Sequence, residues 1–557
     1  LAARVTLWLR GTYKVIDRMS DRPSSFLPLR NRDFRRFWVA SQVSTFGGLV
    51  QGVAAGWLMT GLTNDPSMIA LVQASTSLPI LLFSLTAGAL ADSFDRRHVM
   101  LIAQGIMLTV SLGLIWVAWS GGLTPWTLLS FTFLIGVGTA LNNPSWQASV
   151  GDLVPRDQVP EAVSLNGIGV NLMRSVGPAV GGGIVASFGP AAAFAVNAVS
   201  YLPFVVTLLR WKPVRPHQPL PREPFPMAVG AGLRYVAMSP NLLRVLARTF
   251  LFGLGGVACL ALLPLVARDL MQGGALTYGL LLGSFGVGAI GGGMLNPRLR
   301  QWLGTENIVR LSFVGFAAGV AGLSLSRSLW TGLPATAVAG ACWVIALSLF
   351  NVIVQMSSPR WVVGRALAMY QMATFGGMAL GSWVWGLLAG AVGLPLALTT
   401  AALCLLLGAA LGLPLPLPAF GKADLSPTDQ FRAPALQLDL RGRSGPIMVM
   451  IDYQIADEDL ATFLTVMAER RRIRRRDGAR QWVLLRDLEH PEQWTESYHV
   501  ATWDEYLRHN MRRTKADSDV LGKLHALHRG SEPPRVRRMI ERQSVASHRD
   551  FPLKDTL

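Results

Sequence analysis

The chain has 557 residues, of which 51% are apolar and 15% charged, with a mean hydropathy of +0.37. Average soluble domains carry about 25% charge, so a single water-soluble globule is excluded, as are collagen-like, disulfide-framework and fully disordered classes. The apolar residues come in blocks of about 20, the length a helix needs to cross a ~30 Å hydrocarbon core. Together with 56 glycines, commoner in membrane helices than in soluble ones, this predicts a polytopic, all-α membrane protein.

The net charge of +18 divides into +6 over residues 1–36, +10 over 37–445 and +2 over 446–557. No part is a compact basic domain, which argues against nucleic-acid binding. Cys259, Cys342 and Cys404 lie inside apolar runs without metal-ligand spacing and read as small core residues.

Residues 1–36 read as a cytoplasmic N-terminal arm. Twelve spans follow, at roughly 37–61, 67–90, 98–119, 124–149, 162–187, 190–209, 242–266, 276–296, 307–326, 330–355, 366–390 and 393–415. The loops 92–98, 152–161, 210–234, 297–300 and 359–365 are rich in arginine. They alternate with near-neutral turns at 63–67, 120–125, 188–190 and 392–395, and only Arg268 and Arg327 are basic on that side. The positive-inside rule therefore places both termini in the cytoplasm. A proline-rich central loop, 211–240, separates a six-helix bundle over 37–210 from a second over 241–416. An offset of 204 sets Pro155-Arg156 on Pro359-Arg360, Gly177 on Gly381, Gly182 on Gly386 and Gly189 on Gly393. It also sets Arg96 on Arg300 and Gly88 on Gly292. A parallel duplication of six helices is the expectation, with a substrate site near the midplane between the halves.

Short motifs carry a family resemblance. Gly88-Ala-Leu90-Ala-Asp92-Ser-Phe-Asp-Arg96-Arg97 is similar to the cytoplasmic loop motif of the major facilitator superfamily, with Ser93 in place of a basic residue and Asp95 in place of glycine. Gly177-Pro178-Ala-Val-Gly181-Gly182 resembles the end of the superfamily's antiporter motif, with Met173 where glycine is usual. Asn142-Asn143-Pro144-Ser145-Trp146-Gln147, Asp152-Leu-Val-Pro155-Arg156 and Arg174-Ser-Val-Gly177-Pro178 resemble the branch called transmembrane secretion effectors, the branch of the enterobactin exporter. The resemblance covers about 30–420. It implies export of siderophore-like or drug-like molecules, and spans one, four, seven and ten around the cavity.

Asp92 with Arg96 or Arg97 suits a gate, because an exposed pair worth about 0–1 kcal/mol releases easily. The same arginines and His98 also serve as plain orientation signals. Gly177, Gly181 and Gly182 permit close helix packing in any membrane protein, and Pro178 removes a helix hydrogen bond beside them. Arg174 is the strongest pointer. Thirteen residues beyond Glu161, it lies about 20 Å into its span, with no embedded carboxylate evident to pair with it. Such a residue faces a wet cavity, a partner or neighbouring carbonyls. Gln42 and Gln51 in the first span, Asn142, Asn143 and Gln147 in the fourth, and Asn171 in the fifth complete the candidate cavity, with Asn351 and Gln355 in the tenth. Tyr370 and Gln371 mark the eleventh, and several of these polar residues would simply bond helix to helix.

Residues 417–445 read as a linker, 446–545 as a small α+β domain and 546–557 as a tail. Strands over 447–454, 481–488, 493–500 and 536–542, with helices over 457–476, 504–510 and 518–528, give the order βαββαβ. That order is ferredoxin-like and resembles the small dimeric barrels of antibiotic-biosynthesis monooxygenases. His490, His499, His509, His525 and His528 lack ligand spacing and read as surface residues. The run Arg470-Arg-Arg-Ile473-Arg-Arg-Arg476 reads as a solvated or headgroup-facing helix end.

The expectation is therefore a secondary active exporter of the bacterial inner membrane, not an enzyme. Its partners would be a small-molecule substrate, membrane lipids and a coupling proton, with dimerisation through the C-terminal domain and no cofactor. No G-x-x-x-x-G-K-[ST] is present, and Asp33, at the mouth of the first span, is a weak candidate proton carrier. Two rivals stay open: a lipid flippase of the same fold, and a transporter fused to a monooxygenase-like domain.

Overall fold

The computed structural model describes residues 27–155, 158–211, 225–359, 361–417, 425, 428, 431–438 and 440–541. The N-terminal arm up to residue 26, most of the central-loop prolines, much of the linker and the tail lie outside the described residues.

Six helices form the first half: α1 Arg32–Leu62, α2 Pro66–Ser93, α3 Arg96–Trp119, α4 Pro125–Leu153, α5 Val159–Phe188 and α6 Pro190–Arg210. The central loop contains a helix that its prolines hid, α7 Phe225–Ala237. The second half is α8 Pro240–Ala261 (continued by short helical turns to Leu270), α9 Ala275–Trp302, α10 Thr305–Leu325, α11 Leu329–Met356, α12 Val363–Val392 and α13 Leu394–Ala410.

Local chemistry sets the ends. Asn31 caps α1 through the Asp33 N–H at 2.9 Å, and its amide also donates to the Leu153 carbonyl at 2.9 Å, tying the start of α1 to the end of α4. Asp65 and Asp95 cap α2 and α3, and Thr124 and Thr127 form a reciprocal box at α4. The turns between α5 and α6 and between α12 and α13 each rest on a single glycine, Gly189 at φ +81° and Gly393 at φ +89°, a conformation costly for other residues.

Among the described residues, nine helices are both long and apolar enough to cross a membrane. The other three expected spans depart for visible reasons. Helix α13 has 17 residues, α1 dilutes its apolar stretch with Gln42, Gln51 and five glycines, and α5 carries Asn166, Asn171 and Arg174.

Helices α4, α5 and α6 start 204 residues before α11, α12 and α13, but α1 starts 208 before α8, and α2 and α3 start 209 before α9 and α10. Helix α10 and the turn after it are together five residues shorter than α3 and its turn. The sequence matches of Arg96 with Arg300 and of Gly88 with Gly292 are therefore out of register. Arg96 opens α3, whereas Arg300 lies inside the last turns of α9.

The C-terminal module has strands β1 Ile447–Gln454, β2 Arg480–Arg486, β3 Gln493–Val500 and β4 Arg535–Ile540. Its helices are α14 Leu460–Arg476, α15 Trp503–Met511 and α16 Lys515–Leu527. The sheet order is β2-β3-β1-β4, and every neighbouring pair is antiparallel. Ile447, Val449, Ile451 and Tyr453 alternate inward along β1 and pack with Phe463, Met467, Tyr498 and Leu524 in a core of the module's own. The module docks on α7 and the second half. Arg234 donates to the Arg476 carbonyl at 3.2 Å, the Arg476 guanidinium lies 5.1 Å from the Tyr235 ring centre, and that of Arg512 lies 4.2 Å from Trp361.

Candidate functional site

Two places collect functional side chains: the seam between the six-helix halves, and the interior of the C-terminal module.

The seam is built from glycines. A Cβ on Gly182 of α5 would stand 2.8 Å from the Ala275 carbonyl oxygen and 2.9 Å from Gly279 Cα, and one on Gly286 of α9 would stand 2.5 Å from Arg174 O and Ser175 Cα. On the second seam, a Cβ on Gly386 of α12 would meet Ala70 at 2.8 Å and Ser67 at 2.9 Å on α2. These closures run from mid-helix toward the end with the short, near-neutral turns. At that end Arg268 donates to the Thr60 carbonyl of α1 at 2.9 Å, and the Tyr278 hydroxyl would lie 2.7 Å from a Cβ on Gly56.

The antiporter-like motif therefore has two faces. Gly177 and Gly181, four apart, lie against Leu49 and Val50 of α1, whereas Gly182 meets α9 and the Pro178 carbonyl lies within 2.6 Å of a Cβ on Gly279. At Gly88 a Cβ would meet nothing within 4 Å among the described residues. The Asp92 side chain lies outside the described residues. Arg96 donates to the Ala148 carbonyl at 3.0 Å and Arg97 to the Leu209 carbonyl at 2.9 Å. These bonds join helix ends within the first half, where cations suit C-terminal carbonyls. Asp95, where the superfamily motif has glycine, caps α3 through the Arg97 N–H at 3.0 Å.

Arg174 is exposed, and no hydrogen bond or ion pair to it occurs among the described residues. Its direction follows from helix geometry. Leu172, Val176 and Val180 form an exposed apolar stripe four residues apart. At about 100° per residue Arg174 points away from that stripe, and Ser175, Ala179 and Gly182 between them turn to α9. Arg174 thus lies on the flank of α5 between the side that Gly177 and Gly181 turn to α1 and the side that Ser175, Ala179 and Gly182 turn to α9. Asn171, half-buried, is one turn away on the same side. Asn143 and Gln147 are exposed and continue the stripe of α4 whose Thr132 and Gly136 face Ser75 and Pro79 of α2. Asn351 and Gln355 bond to each other at 2.5 Å on α11.

Three candidates belong elsewhere. Gln51 is 4% exposed and accepts hydrogen bonds from Asn197 of α6 and Ser111 of α3, so it joins helices inside the first half. Asn142 accepts from buried Gln104 at 3.3 Å. Gln42 is 6% exposed against Gly169 of α5, with neither end of its amide partnered. Tyr370 bonds the Leu347 carbonyl at 2.9 Å and ties α12 to α11. Asp33 is exposed in the first turn of α1.

Sequence reasoning missed a buried ion pair. Arg248 of α8, 2% exposed, donates to both carboxylate oxygens of Glu306 at 2.7 Å, and Glu306 also accepts the Leu417 N–H at 2.9 Å. The signal was available: an arginine two turns inside one apolar run, and a lone carboxylate opening another.

In the module, the arginine run is not a solvated helix end. Arg470 and Arg474, one turn apart, turn inward at 7% and 3% exposure, while Arg471, Arg472 and Arg475 face out. Both inward guanidiniums donate to Glu496 of β3, at 2.7 and 3.2 Å, and Glu496 also accepts from Trp482 at 3.1 Å. Burial alone would raise the Glu496 carboxyl, but Arg470 and Arg474 outweigh it and hold the group at about 2. His509 is likewise no surface residue. At 3% exposure it bonds Arg474 at 2.8 Å and the Asp477 carbonyl at 3.3 Å. Burial, then repulsion from Arg474, keeps it neutral, well below the usual histidine range. His490 and His525 are exposed; His499 and His528 are half-buried.

This predicts an acid limit for the module. A carboxyl held below its unfolded value stabilises the fold above about pH 4.5, and that stabilisation fades as pH falls toward 2. Pepsin cleavage of the module in the intact, detergent-solubilised protein should accelerate between pH 5 and 2. Glu496→Gln should be cleaved readily across the whole window; identical pH profiles for the two proteins would contradict the assignment.

Comparison with known proteins follows the same division. A family model described as transmembrane secretion effector matches residues 23–545. The chain is 27% identical over 366 residues to the enterobactin exporter EntS of Salmonella choleraesuis (strain SC-B67), across 63% of this chain and 84% of that protein. It is 23% identical over 292 residues to the staphyloferrin A transporter of Staphylococcus aureus (strain NCTC 8325 / PS 47), across 52% and 72%. Its fold is similar to that of a bacterial homolog of the human lysosomal transporter Spinster in an inward-facing, unoccupied conformation, with a TM-score of 0.55 at 13% identity, covering 69% of this chain and 96% of that one.

Proposed function

Since the chain belongs to the transmembrane secretion effector family, a branch of the major facilitator superfamily, we propose that it is a secondary active exporter of siderophore-like anions working by alternating access. In this reading all twelve long helices span the inner membrane as two parallel six-helix repeats, with both termini cytoplasmic and a proton gradient as the energy source. The glycine seams are the closed external gate, and the gap between the halves opens to the cytoplasm. Arg96 and Arg97, with Asp92, remain the candidate gate on that side.

The observation that supports the substrate class is Arg174, a mid-helix guanidinium with no hydrogen bond or ion pair among the described residues, which in this reading faces the gap. An arginine in the hydrocarbon zone costs at least ~2.5 kcal/mol, and an anion in the gap would offset that cost. Asn171, Asn143, Gln147, Asn351 and Gln355 would supply neutral hydrogen bonds around it. Relatives named for enterobactin and staphyloferrin A support a siderophore-like cargo. The C-terminal module reads as ferredoxin-like, supported by its strand order and element order, and acts as a regulatory or dimerising attachment.

Arg174→Ala should weaken binding of such an anion by about 2–5 kcal/mol, and Arg174→Lys should recover only part of it, because the planar fork is lost. Calorimetry with enterobactin and staphyloferrin A on detergent-purified variants, checked for monodispersity, measures this. Equal affinities across wild type, Lys and Ala would remove Arg174 from the site.

A further inference from the structure

The C-terminal module carries a half-open cleft of about 470 Å³ between the sheet and helices α14, α15 and α16. Five arginines line it: Arg432, Arg470, Arg474, Arg513 and Arg538. No carboxylate lines it among the described residues. Glu496, behind the wall, is shared between Arg470 and Arg474 and neutralises one of them. The other wall is apolar and aromatic, with Val449 and Ile451 of β1 and Tyr498 of β3.

The inner three, Arg470, Arg474 and Arg513, are not saturated by the described residues, whereas Arg538, exposed at the rim, donates to the Tyr506 hydroxyl at 2.6 Å. Arg470 donates only through Nε, so its two terminal amino groups have no partner among the described residues. Arg474 Nη2 is buried without a hydrogen-bond partner. Its guanidinium lies 4.4 Å from the Tyr498 ring centre, which fixes the plane of the fork. Among the described residues, the Arg513 side chain has only the Asn510 side chain as a partner. Burial, followed by repulsion from Arg474, brings Arg513 down to about 10. Buried charge without counter-charge is costly, and buried donors left unmade cost about 1–3 kcal/mol each. A ligand anion answers both deficits at once, and the apolar wall requires it to carry an apolar body.

We propose that the C-terminal module has its own binding site for a small amphipathic organic anion, an aromatic carboxylate in chemical class, gripped by Arg470, Arg474, Arg513 and Arg538 against the β1–β3 face. The site is separate from the gap that holds Arg174 and stands whether or not the transport reading does.

Isothermal titration of the full chain in detergent with 2-naphthoate tests it, with neutral 2-naphthamide and inorganic phosphate as comparisons. Naphthoate should bind at least about tenfold more tightly than either. Arg513→Gln and Arg538→Gln leave the Glu496 ion pairs intact and should each weaken naphthoate binding at least about tenfold, while Arg475→Gln, exposed on the outward side of α14, should leave it unchanged. Failure of naphthoate to bind would overturn the proposal. So would equal binding of naphthamide or phosphate, or unchanged affinity in both arginine variants. Loss of binding in Arg174→Ala with retention in the module variants would place the anion between the membrane halves and overturn it as well.

Discussion

Gly286→Ala and Gly386→Ala are each expected to push the two halves apart at the short-turn end and to shift the protein toward the arrangement open on that side. The added methyl at Gly286 has no flexible side chain to displace. It meets the backbone of Arg174 and Ser175 at 2.5–2.6 Å, so α9 must move away from α5. Overpacking of this kind costs about 1–3 kcal/mol, and each 1.4 kcal/mol is a tenfold change in a two-state ratio. The two seams are equivalent in the two halves, so the double variant should shift the ratio further than either single one. Gly88→Ala is the internal control, since nothing among the described residues lies within 4 Å of its Cβ. Pulsed electron-spin distances between labels at positions 64 and 327, in a protein freed of its three cysteines, would read the separation. Identical distance distributions for wild type and both seam variants would show that the seam does not close the molecule.

The second large effect concerns Arg248 and Glu306. Glu306→Ala should destabilise the protein by about 3–5 kcal/mol, because it leaves a guanidinium charged and uncompensated at 2% exposure. The Nε and Nη2 of Arg248 already lack partners, so no nearby acceptor can take over. Glu306→Gln keeps one acceptor and should fall between. Replacing both partners, Arg248→Met with Glu306→Leu, should recover most of the loss, since a packed apolar pair is often as stable as a buried ion pair. Thermal unfolding in detergent measures all three. A double variant as unstable as Glu306→Ala would mean that the pair holds the Leu417 segment in a way charge balance does not explain.

Helix positions were legible because apolar runs of the right length are punctuated by Gly, Pro, Asp and Arg, and the strands of the module because their alternation is clean. The contents of the sites were less so. A run of six arginines in seven residues reads as solvated until its one-turn spacing is set against Glu496, 22 residues beyond Arg474 and on an inward-facing strand position between Trp494 and Tyr498. That carboxylate among inward residues was the signal, but pairing across a sheet and a helix cannot be read from local pattern. Gln51 failed as a cavity residue for a related reason. A glutamine in a span has the same appearance whether it faces water or three helices of its own half, and only Asn197 and Ser111 in space distinguish the two. Arg174 could be located in its span from sequence, but only the exposed Leu172, Val176 and Val180 stripe shows which side of α5 it turns away from. The repeat register slipped because a shortened helix and a shortened turn, neither visible in composition, together displaced three helices of one half by five residues.

The docking of the module has a mechanical corollary. Among the described residues, its contacts through Arg476 and Arg512 go to α7 and to Trp361 beside α12, which couples it to the second half. A fluorophore on the module would thus act as a pointer fixed to one jaw of a hinge, and its tilt against the membrane plane would report in real time which jaw swings during a transport cycle.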